Sequence, residues 1–321
     1  MEGEDQLLKH LFIINPVSGG ISGRTEEVTR DIRSFAENLD DPYEIYMTTA
    51  PMDACRKILE AAETADSLYV YACGGDGTLN ECVNGAALRS NIAITQYPCG
   101  TGNDFLRMFG QDNMHKFRNL HALANGVVRT LDLIDCDGRY GLNICSVGID
   151  ARVGADVHKY SGIPLIGGAT GYVVSLVVNV LKGVAQRFRI TVGDITLDKR
   201  ITLACACNGR FYGGGFNPVP DAIPDDGILE CLVVNGVSRL KAVQVVGKYS
   251  KGQFREFPDL ITYVRANTMA IESDREFVVN IDGEAIYAAK ITFTLVPNGI
   301  NFIFPTDMDY YGALGVGATG T

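Results

Sequence analysis

Several sequence patterns that mark common classes of protein are absent from this chain of 321 residues. It has nine cysteines but no C-x-x-C pair, which argues against a zinc site built from such pairs. Its four histidines are isolated along the sequence, so no Ser-His-Asp arrangement is indicated. We interpret the scattered cysteines, of which Cys205 and Cys207 form a C-x-C, as reduced thiols of a cytosolic protein.

The chain also lacks an excess of positive charge, because 28 lysines and arginines stand against 38 acidic residues, a net charge of −10. This balance argues against nucleic acid as a partner and against uniform adsorption to anionic lipid, since both require a basic face. A local patch is still possible. Ser238 to Arg255 contains five basic residues, no acid and interleaved apolar residues, which fits either a lipid-facing surface or a solvated helix face.

Two further absences concern nucleotides and membranes. The phosphate-binding signature G-x-x-x-x-G-K-[ST] is missing, so the chain is not a P-loop protein. The N-terminus, MEGEDQLLKH, is acidic, from which we expect no signal peptide. An uncharged stretch from Tyr160 to Leu181 is interrupted by Pro164 and glycines, so we predict a buried or cleft-lining helix and no bilayer span.

The first part of the chain alternates between strand-like and helix-like patterns. Val28, Ile32, Phe35 and Leu39 recur at helical spacing, for example. Such alternation predicts a parallel sheet with helices on both faces and ligands at the carboxyl ends of its strands. The predicted strands are 11–16, 43–49, 67–72 and 92–98, and the predicted helices include 78–88 and a single helix through 114–126.

The hydrophobicity pattern changes after Leu131, where apolar and polar residues alternate as in the strands of a half-buried sheet. Asp-Gly pairs at 137–138, 226–227 and 282–283 separate such runs and are strong hairpin signals. We therefore predict an α/β domain at 1–132 of Rossmann-like type, and a β-rich sandwich domain at 133–321 whose C-terminal tail could return to the first domain.

Three glycine-containing turns follow predicted strands of the first domain: NPVSGG (15–20), CGGDGTLNE (73–81) and PCGTGND (98–104). Glycines allow a ligand to approach the backbone, and the helix start that follows favours an anion, most often phosphate. Asp76 would repel a phosphate unless a cation lay between them, and magnesium is bound by carboxylate and phosphate oxygens together. The alternative is a tight turn in which Asp76 caps the helix.

Other acidic pairs leave two interpretations open. Asp282-Gly283-Glu284 is by default a hairpin turn, and Asp225 and Asp226 fit either a turn or a cation site. Asn15 and Ser18 could likewise contact a nucleotide or only shape their turn.

The motifs NPVSGG, GGDGTLNE, PCGTGNDF, NGRFYGGGF, DAIPDDGILE and NIDGE occur in this order. Together they resemble the bacterial lipid kinases of the diacylglycerol kinase catalytic-domain family, which are related to NAD kinases and sphingosine kinases. The resemblance extends from about residue 11 to residue 304. It implies a nucleotide-binding domain and a β-sandwich domain that together bring ATP and a lipid into one cleft. The apolar stretch Ile163 to Leu181 is a candidate wall of that cleft, and an ordinary core helix is an equal alternative.

Carried onto this chain, the resemblance assigns three groups of residues. Asp282 would be the general base with Glu284 as its neighbour, and Asp76 would act through magnesium. A structural magnesium would be held by Asp226 and the backbone carbonyls of Ile223 and Ile228. The nucleotide would contact Asn15, Pro16, Val17, Ser18, Gly19, Thr48, Gly75, Asp76, Gly77, Thr78, Leu79, Asn80, Glu81 and Thr101.

The expected function is an ATP- and Mg²⁺-dependent lipid kinase, with diacylglycerol the first candidate substrate. Phosphoryl transfer depends on positioning and charge neutralisation, which such a site supplies. An NAD kinase and a non-catalytic nucleotide or lipid sensor are the alternatives. The resemblance further implies a cytoplasmic protein in peripheral contact with the inner face of the membrane, and a homodimer is possible.

Overall fold

The computed structural model describes residues 7–17, 22–100, 102–149, 151–152 and 185–316. These residues divide into two compact units. The first unit comprises the chain up to Leu131 together with the segment from Asn298 onward, and the second comprises Asp132 to Pro297.

The first unit has a parallel sheet at its centre. Strand β1 lies between β2 and β3, and β3 pairs with β4, all in parallel register. In β1 the consecutive residues Leu11 to Ile14 are buried, and because neighbouring strand residues point to opposite faces, both faces of the sheet are covered. The strands are β1 Leu8–Ile14, β2 Tyr43–Met47, β3 Ser67–Gly74 and β4 Ile92–Pro98.

Six helices connect the described strands of this unit or follow them, and one of our helix predictions is wrong. The single helix expected through 114–126 is divided into α5 and α6 at Asn119. Asn119 is extended and its side chain accepts a hydrogen bond from the Ala122 N–H, a typical helix N-cap. The helices are α1 Ser22–Ala36, α2 Asp53–Ala62, α3 Asp76–Ala86, α4 Asp104–Arg107, α5 Gln111–Lys116 and α6 Leu120–Ala124.

The C-terminal segment completes the first unit. The end of strand β13 (Glu284–Phe304) pairs in parallel with β4, and the Thr95 hydroxyl donates to the Ile303 carbonyl at 2.9 Å. The short helix α8, Tyr310–Leu314, follows the strand. Aromatic rings of this segment pack here against rings of the helical region after β4, namely Phe105, Phe109, Phe117, Phe302, Phe304 and Tyr310.

The second unit is an antiparallel sheet. Its strands follow the order β11-β10-β9-β7-β12-β13, and β8 pairs with both β9 and β12. The strands are β5 Val127–Cys136, β6 Arg139–Gly141, β7 Ile144–Gly148, β8 Gln186–Val192, β9 Ile195–Cys207, β10 Leu229–Asn235, β11 Ile261–Ala266 and β12 Thr268–Ile281.

Alternate residues of β9 join different cores. Ala204 and Ala206 belong to a cluster with Phe188, whereas Cys205 and Cys207 belong to one that contains residues of helix α7, Arg239–Tyr249. The sheet therefore buries both of its faces, and α7 packs on one of them.

Two of the three Asp-Gly hairpin predictions are confirmed. Asp137-Gly138 connects β5 to β6 and Asp282-Gly283 connects β12 to β13, both with positive φ at each residue. Asp226-Gly227 precedes β10 without joining two strands, so that prediction is wrong. A Gly193-Asp194 turn connects β8 to β9 instead.

The predicted fold class, an α/β domain followed by a β-rich sandwich-type domain, is confirmed. Across the ranges given above, no helix has the length and apolarity that a bilayer crossing requires. The stretch Tyr160 to Leu181, with the candidate wall Ile163 to Leu181, lies outside the described residues.

Candidate functional site

The turns after β3 and β4 lie against each other, backbone to backbone. The Cys99 N–H and the Gly100 N–H both donate to the Gly74 carbonyl, at 3.0 and 3.3 Å. A Cβ added to Gly100 would lie 2.5 Å from the Gly75 Cα, a distance that no side chain tolerates. Because parallel strands end at one edge of the sheet, their order brings these turns together, and the glycines permit the contact.

Asp76 joins the two turns. It is the first residue of α3, and its Oδ1 accepts a hydrogen bond from the Asp104 N–H, at the start of α4, at 2.6 Å. A Cβ added to Gly102 would lie 2.3 Å from the Asp76 Oδ2, so only glycine leaves room for the carboxylate here. Asp76 therefore contacts the neighbouring helix start, a contact that neither interpretation of the sequence contained.

The residues of α3 that follow Asp76 are mostly engaged in contacts within the first unit. Thr78 is buried over Gly74, and its hydroxyl has no hydrogen-bond partner among the described residues. Leu79 is a core residue, so only its backbone could meet a ligand. The Asn80 carbonyl accepts a hydrogen bond from the Asn84 side chain. Glu81 accepts one from the Ala54 N–H at 3.1 Å and so caps α2.

The turn after β1 is the third component. The Asn15 N–H donates to the Cys73 carbonyl at 3.3 Å, and the Asn15 side chain accepts a hydrogen bond from the Val17 N–H. The Pro16 carbonyl accepts one from the Thr25 hydroxyl at 3.1 Å. Thr48 follows β2 and donates its N–H to the Ile14 carbonyl at 2.9 Å.

These contacts place Asn15, Pro16, Thr48 and Gly75 in turns or loops that follow neighbouring parallel strands, as the sequence predicted, and Gly77 lies in the first turn of α3. Ser18, Gly19 and Thr101, which were also predicted to contact the nucleotide, lie outside the described residues.

In the second unit, Asp282 is held by the backbone of another segment. Its carboxylate accepts hydrogen bonds from three consecutive N–H groups, those of Leu142 at 2.6 Å, Asn143 at 3.0 Å and Ile144 at 2.8 Å. Hydrogen bonds of this kind favour the charged form of a carboxylate. Glu284, two residues further on, is exposed at the start of β13.

Asn208 supports the segment that holds Asp282. Its fully buried side chain donates to the carbonyls of Asp132 and Leu142, at 2.9 and 2.8 Å. Its N–H and that of Gly209 both donate to the Asn143 carbonyl at 2.9 Å. The predicted base thus belongs to a hydrogen-bond network that extends through residues 142–144.

Asp226, the predicted metal ligand, lies among charged groups. Its Oδ1 accepts the Ile228 N–H at 3.1 Å, and its Oδ2 lies 3.3 Å from the Arg265 guanidinium. Burial raises the pKa of Asp226 to about 6, helped by the nearby carboxylates of Glu230 and Asp132 and opposed by the Ile228 N–H and Arg265. Such a carboxylate is poorly compensated when ionised, and a cation would favour its charged form.

The donor set predicted for a structural metal suits magnesium. A carboxylate and backbone carbonyls are hard oxygen ligands, which Mg²⁺ prefers. Where side chains are described, no group of three or more histidines, cysteines or acidic residues is arranged to hold a metal. The predicted set, Ile223, Asp226 and Ile228, would therefore rely on a single carboxylate.

Sequence reasoning missed several residues of these two sites. In the first unit they are Gly100 and Gly102, which permit the contacts described above, and Asn103, whose backbone is left-handed with a φ of 52°. The turn PCGTGND, which contains them, was predicted from the sequence, but only Thr101 within it was assigned a contact. The 142–144 segment carries no motif, since only the fold brings its N–H groups to Asp282.

Comparison with known proteins gives two family matches. The diacylglycerol kinase catalytic domain matches residues 9–136. The YegS C-terminal NAD kinase beta sandwich-like domain matches residues 143–304.

Individual relatives agree with this. A Staphylococcus aureus (strain Newman) protein named "Putative lipid kinase" is 26% identical over 255 residues, which cover 79% of this chain and 83% of the relative. A crystal structure of a "putative diacylglycerol kinase" from Bacillus anthracis strain Sterne is 25% identical, with a TM-score of 0.71 over 92% of this chain and 96% of that one. A second structure from that strain, titled a diacylglycerol kinase, is 24% identical with a TM-score of 0.67 over the same shares, and supports the fold.

Proposed function

Because the chain belongs to the family of lipid kinases that share the diacylglycerol kinase catalytic domain, we propose that it transfers the γ-phosphate of ATP to a hydroxyl of a membrane lipid. Diacylglycerol is the first candidate, and phosphatidic acid would be its product. The observation that carries the proposal is the backbone contact between Gly75 and Gly100, with Asp76 between two helix starts.

The first unit would hold the nucleotide. Glycines 75 and 77 leave the backbone at the start of α3 accessible to phosphate oxygens, and the positive end of the helix dipole favours them. Asp76 would hold Mg²⁺, which when bound would neutralise phosphate charge. Asn15, Thr48 and the turn after β1 would contact the remainder of the nucleotide.

The second unit would supply the proton acceptor. As the lipid oxygen forms its bond to the γ-phosphorus and the bond to ADP breaks, the hydroxyl proton would pass to the Asp282 carboxylate. The three N–H groups that hold Asp282 support this role because they fix the position of its carboxylate. Glu284 is the neighbouring exposed carboxylate. A second Mg²⁺ held by Asp226 and the carbonyls of Ile223 and Ile228 would stabilise the unit.

The test is to incubate the purified chain with γ-labelled ATP, Mg²⁺, NAD and a mixture of membrane lipids, and to separate the labelled products by thin-layer chromatography. We expect label in phosphatidic acid. Label in NADP or in no product would contradict the proposal.

Asp76→Ala tests the part assigned to Asp76. We expect it to reduce both the labelled product and the affinity for Mg-ATP measured by calorimetry. Asp112→Ala is the matched control, because Asp112 is also an acidic residue in the first turn of a helix and is exposed. Equal Mg-ATP affinity in the parent and in Asp76→Ala would rule out the magnesium role.

A further inference from the structure

Helix α7 presents apolar side chains to solvent on the face opposite its buried one. Val245 and Tyr249 are buried in the core beside Cys205. Leu240 and Val243 are 80% and 65% exposed, although both are aliphatic. Residues three apart lie on one side of a helix, so these two side chains form a single apolar ridge.

The segment that carries this ridge is basic, but less of its positive charge is unpaired than the sequence suggested. Lys248 forms an ion pair with Glu256, and Arg255 pairs with Asp221 at 3.1 Å. Lys241 is exposed and forms no ion pair with any residue that the structure describes, although its ammonium lies 5.8 Å from the centroid of the Phe257 ring. Lys251, just beyond the end of the helix, is likewise exposed and has no ion pair among the described residues.

We propose that the ridge of Leu240 and Val243, together with Lys241 and Lys251 of the same segment, docks on the surface of an anionic phospholipid membrane. Apolar side chains would enter the acyl boundary while lysines contact the head groups, as in helices that lie at membrane interfaces. With a net charge of −10, the whole chain is repelled by such a surface, so contact requires a local patch of opposite charge. A second copy of the chain is a poorer occupant, because a symmetric contact would bring Lys241 towards its own counterpart.

This inference rests on the proposed lipid substrate, but its test needs no turnover. Co-sedimentation of the full chain with phosphatidylglycerol vesicles, without ATP, is compared with phosphatidylcholine vesicles. We expect binding to the anionic vesicles alone, weakened by added salt. In Leu240→Asp/Val243→Asp we expect at least a roughly tenfold loss of affinity, because two apolar side chains leave the interface and two negative charges enter it.

Val127→Asp/Val128→Asp is the matched control, because it places the same charges on residues that are 50% and 40% exposed. It should bind vesicles like the parent. Leu240→Ser/Val243→Ser, which adds no charge, should still lose binding and should keep the parent's melting temperature, since both side chains face solvent.

Four results would overturn the proposal. The first three are unchanged binding of the Leu240 and Val243 variants, an equal loss in the control, and parental binding to phosphatidylcholine. A change of oligomeric state in sedimentation velocity with vesicle binding retained would assign the face to a second copy and would also overturn it. Activity on a short-chain soluble diacylglycerol is measured separately. Its absence from a parent that binds vesicles would contradict the kinase and leave the docking surface standing.

Discussion

In each unit an aspartate with glycine neighbours follows a strand, but the two aspartates are held differently. In the first unit the turn is positioned by backbone packed on backbone, Gly100 against Gly75, and Asp76 adds a hydrogen bond to the Asp104 N–H. In the second unit the Asp282 carboxylate itself ties its hairpin to residues 142–144. The first site therefore depends on the absence of side chains, and the second depends on the presence of one.

The largest expected effect comes from Asp282→Asn. If Asp282 is the base, turnover should fall by about 10² to 10⁴. The asparagine amide also places an NH₂ group against backbone N–H groups that donate hydrogen bonds to the carboxylate in the parent. Because at least one N–H group then loses its acceptor, the free energy of unfolding should fall by about 1–3 kcal/mol. Initial rates on solubilised lipid and thermal unfolding measure the two effects.

Glu284→Gln is the companion variant, because Glu284 is exposed and lies two residues away on the same hairpin. We expect its unfolding to match the parent's. If Glu284→Gln abolished turnover while Asp282→Asn lost only stability, the base would be Glu284 and Asp282 would be its positioning residue.

A smaller effect is expected from Gly100→Ala in the first unit. The added Cβ would meet the Gly75 backbone, which has no flexible end to move aside, so the two turns must separate. We expect a loss of about 1–3 kcal/mol in stability, typical of overpacking, and weaker Mg-ATP binding. Denaturant unfolding and calorimetry measure these quantities.

Gly247→Ala gives the opposite sign and serves as the control. A Cβ on Gly247, within α7, would meet nothing within 4 Å, and alanine favours a helix over glycine by about 0.5–1 kcal/mol. Nucleotide binding should not change. If Gly100→Ala behaved like Gly247→Ala, the backbone contact would not position the site.

The smallest effect concerns Asp226 and pH. In the folded chain the Asp226 carboxyl group has a pKa of about 6, against an ordinary value of 3.8. The folded state therefore binds more protons than the unfolded state between these values, so ionisation of Asp226 destabilises the fold as the pH rises from about 4 to about 6. The difference between these two pKa values corresponds to about 3 kcal/mol, and solvent at the partly exposed side chain reduces it. In the presence of a chelator, Asp226→Asn should therefore gain roughly 1–2 kcal/mol relative to the parent between pH 4 and pH 7.

Adding Mg²⁺ at pH 7 should raise the melting temperature of the parent and leave that of Asp226→Asn unchanged, because a ligand of the native state stabilises it. An equal response of both proteins to Mg²⁺ would argue against a cation at this position.

Local patterns were sufficient to predict the fold class. Alternating strand and helix patterns predicted the parallel sheet, and Asp-Gly pairs predicted two hairpins. They were insufficient where a single side chain decides the outcome. Asn119 ends a periodic helix pattern by capping the next helix, and Asp226-Gly227 has the composition of a hairpin but no second strand to join.

The candidate site was predicted in part for the same reason. Glycines that follow strands are visible in the sequence, so the turns of the first unit could be predicted. The partners of Asp76, Glu81 and Asp282 could not, because each is a backbone N–H group between 27 and 140 residues away, and any residue type can supply it.

Strand β13 has a consequence for how the chain is made. It runs for 21 residues, and its last part completes the sheet of the first unit, whose other strands end with β4 at Pro98. A ribosome that adds about 5–20 residues per second needs on the order of ten seconds or more to pass from Leu131 to Phe302. Throughout that interval the emerging first unit lacks a strand, and the edge of β4 that awaits it is open to mispairing or to chaperones. The unit whose synthesis begins first therefore cannot complete its sheet until the second unit has been synthesised.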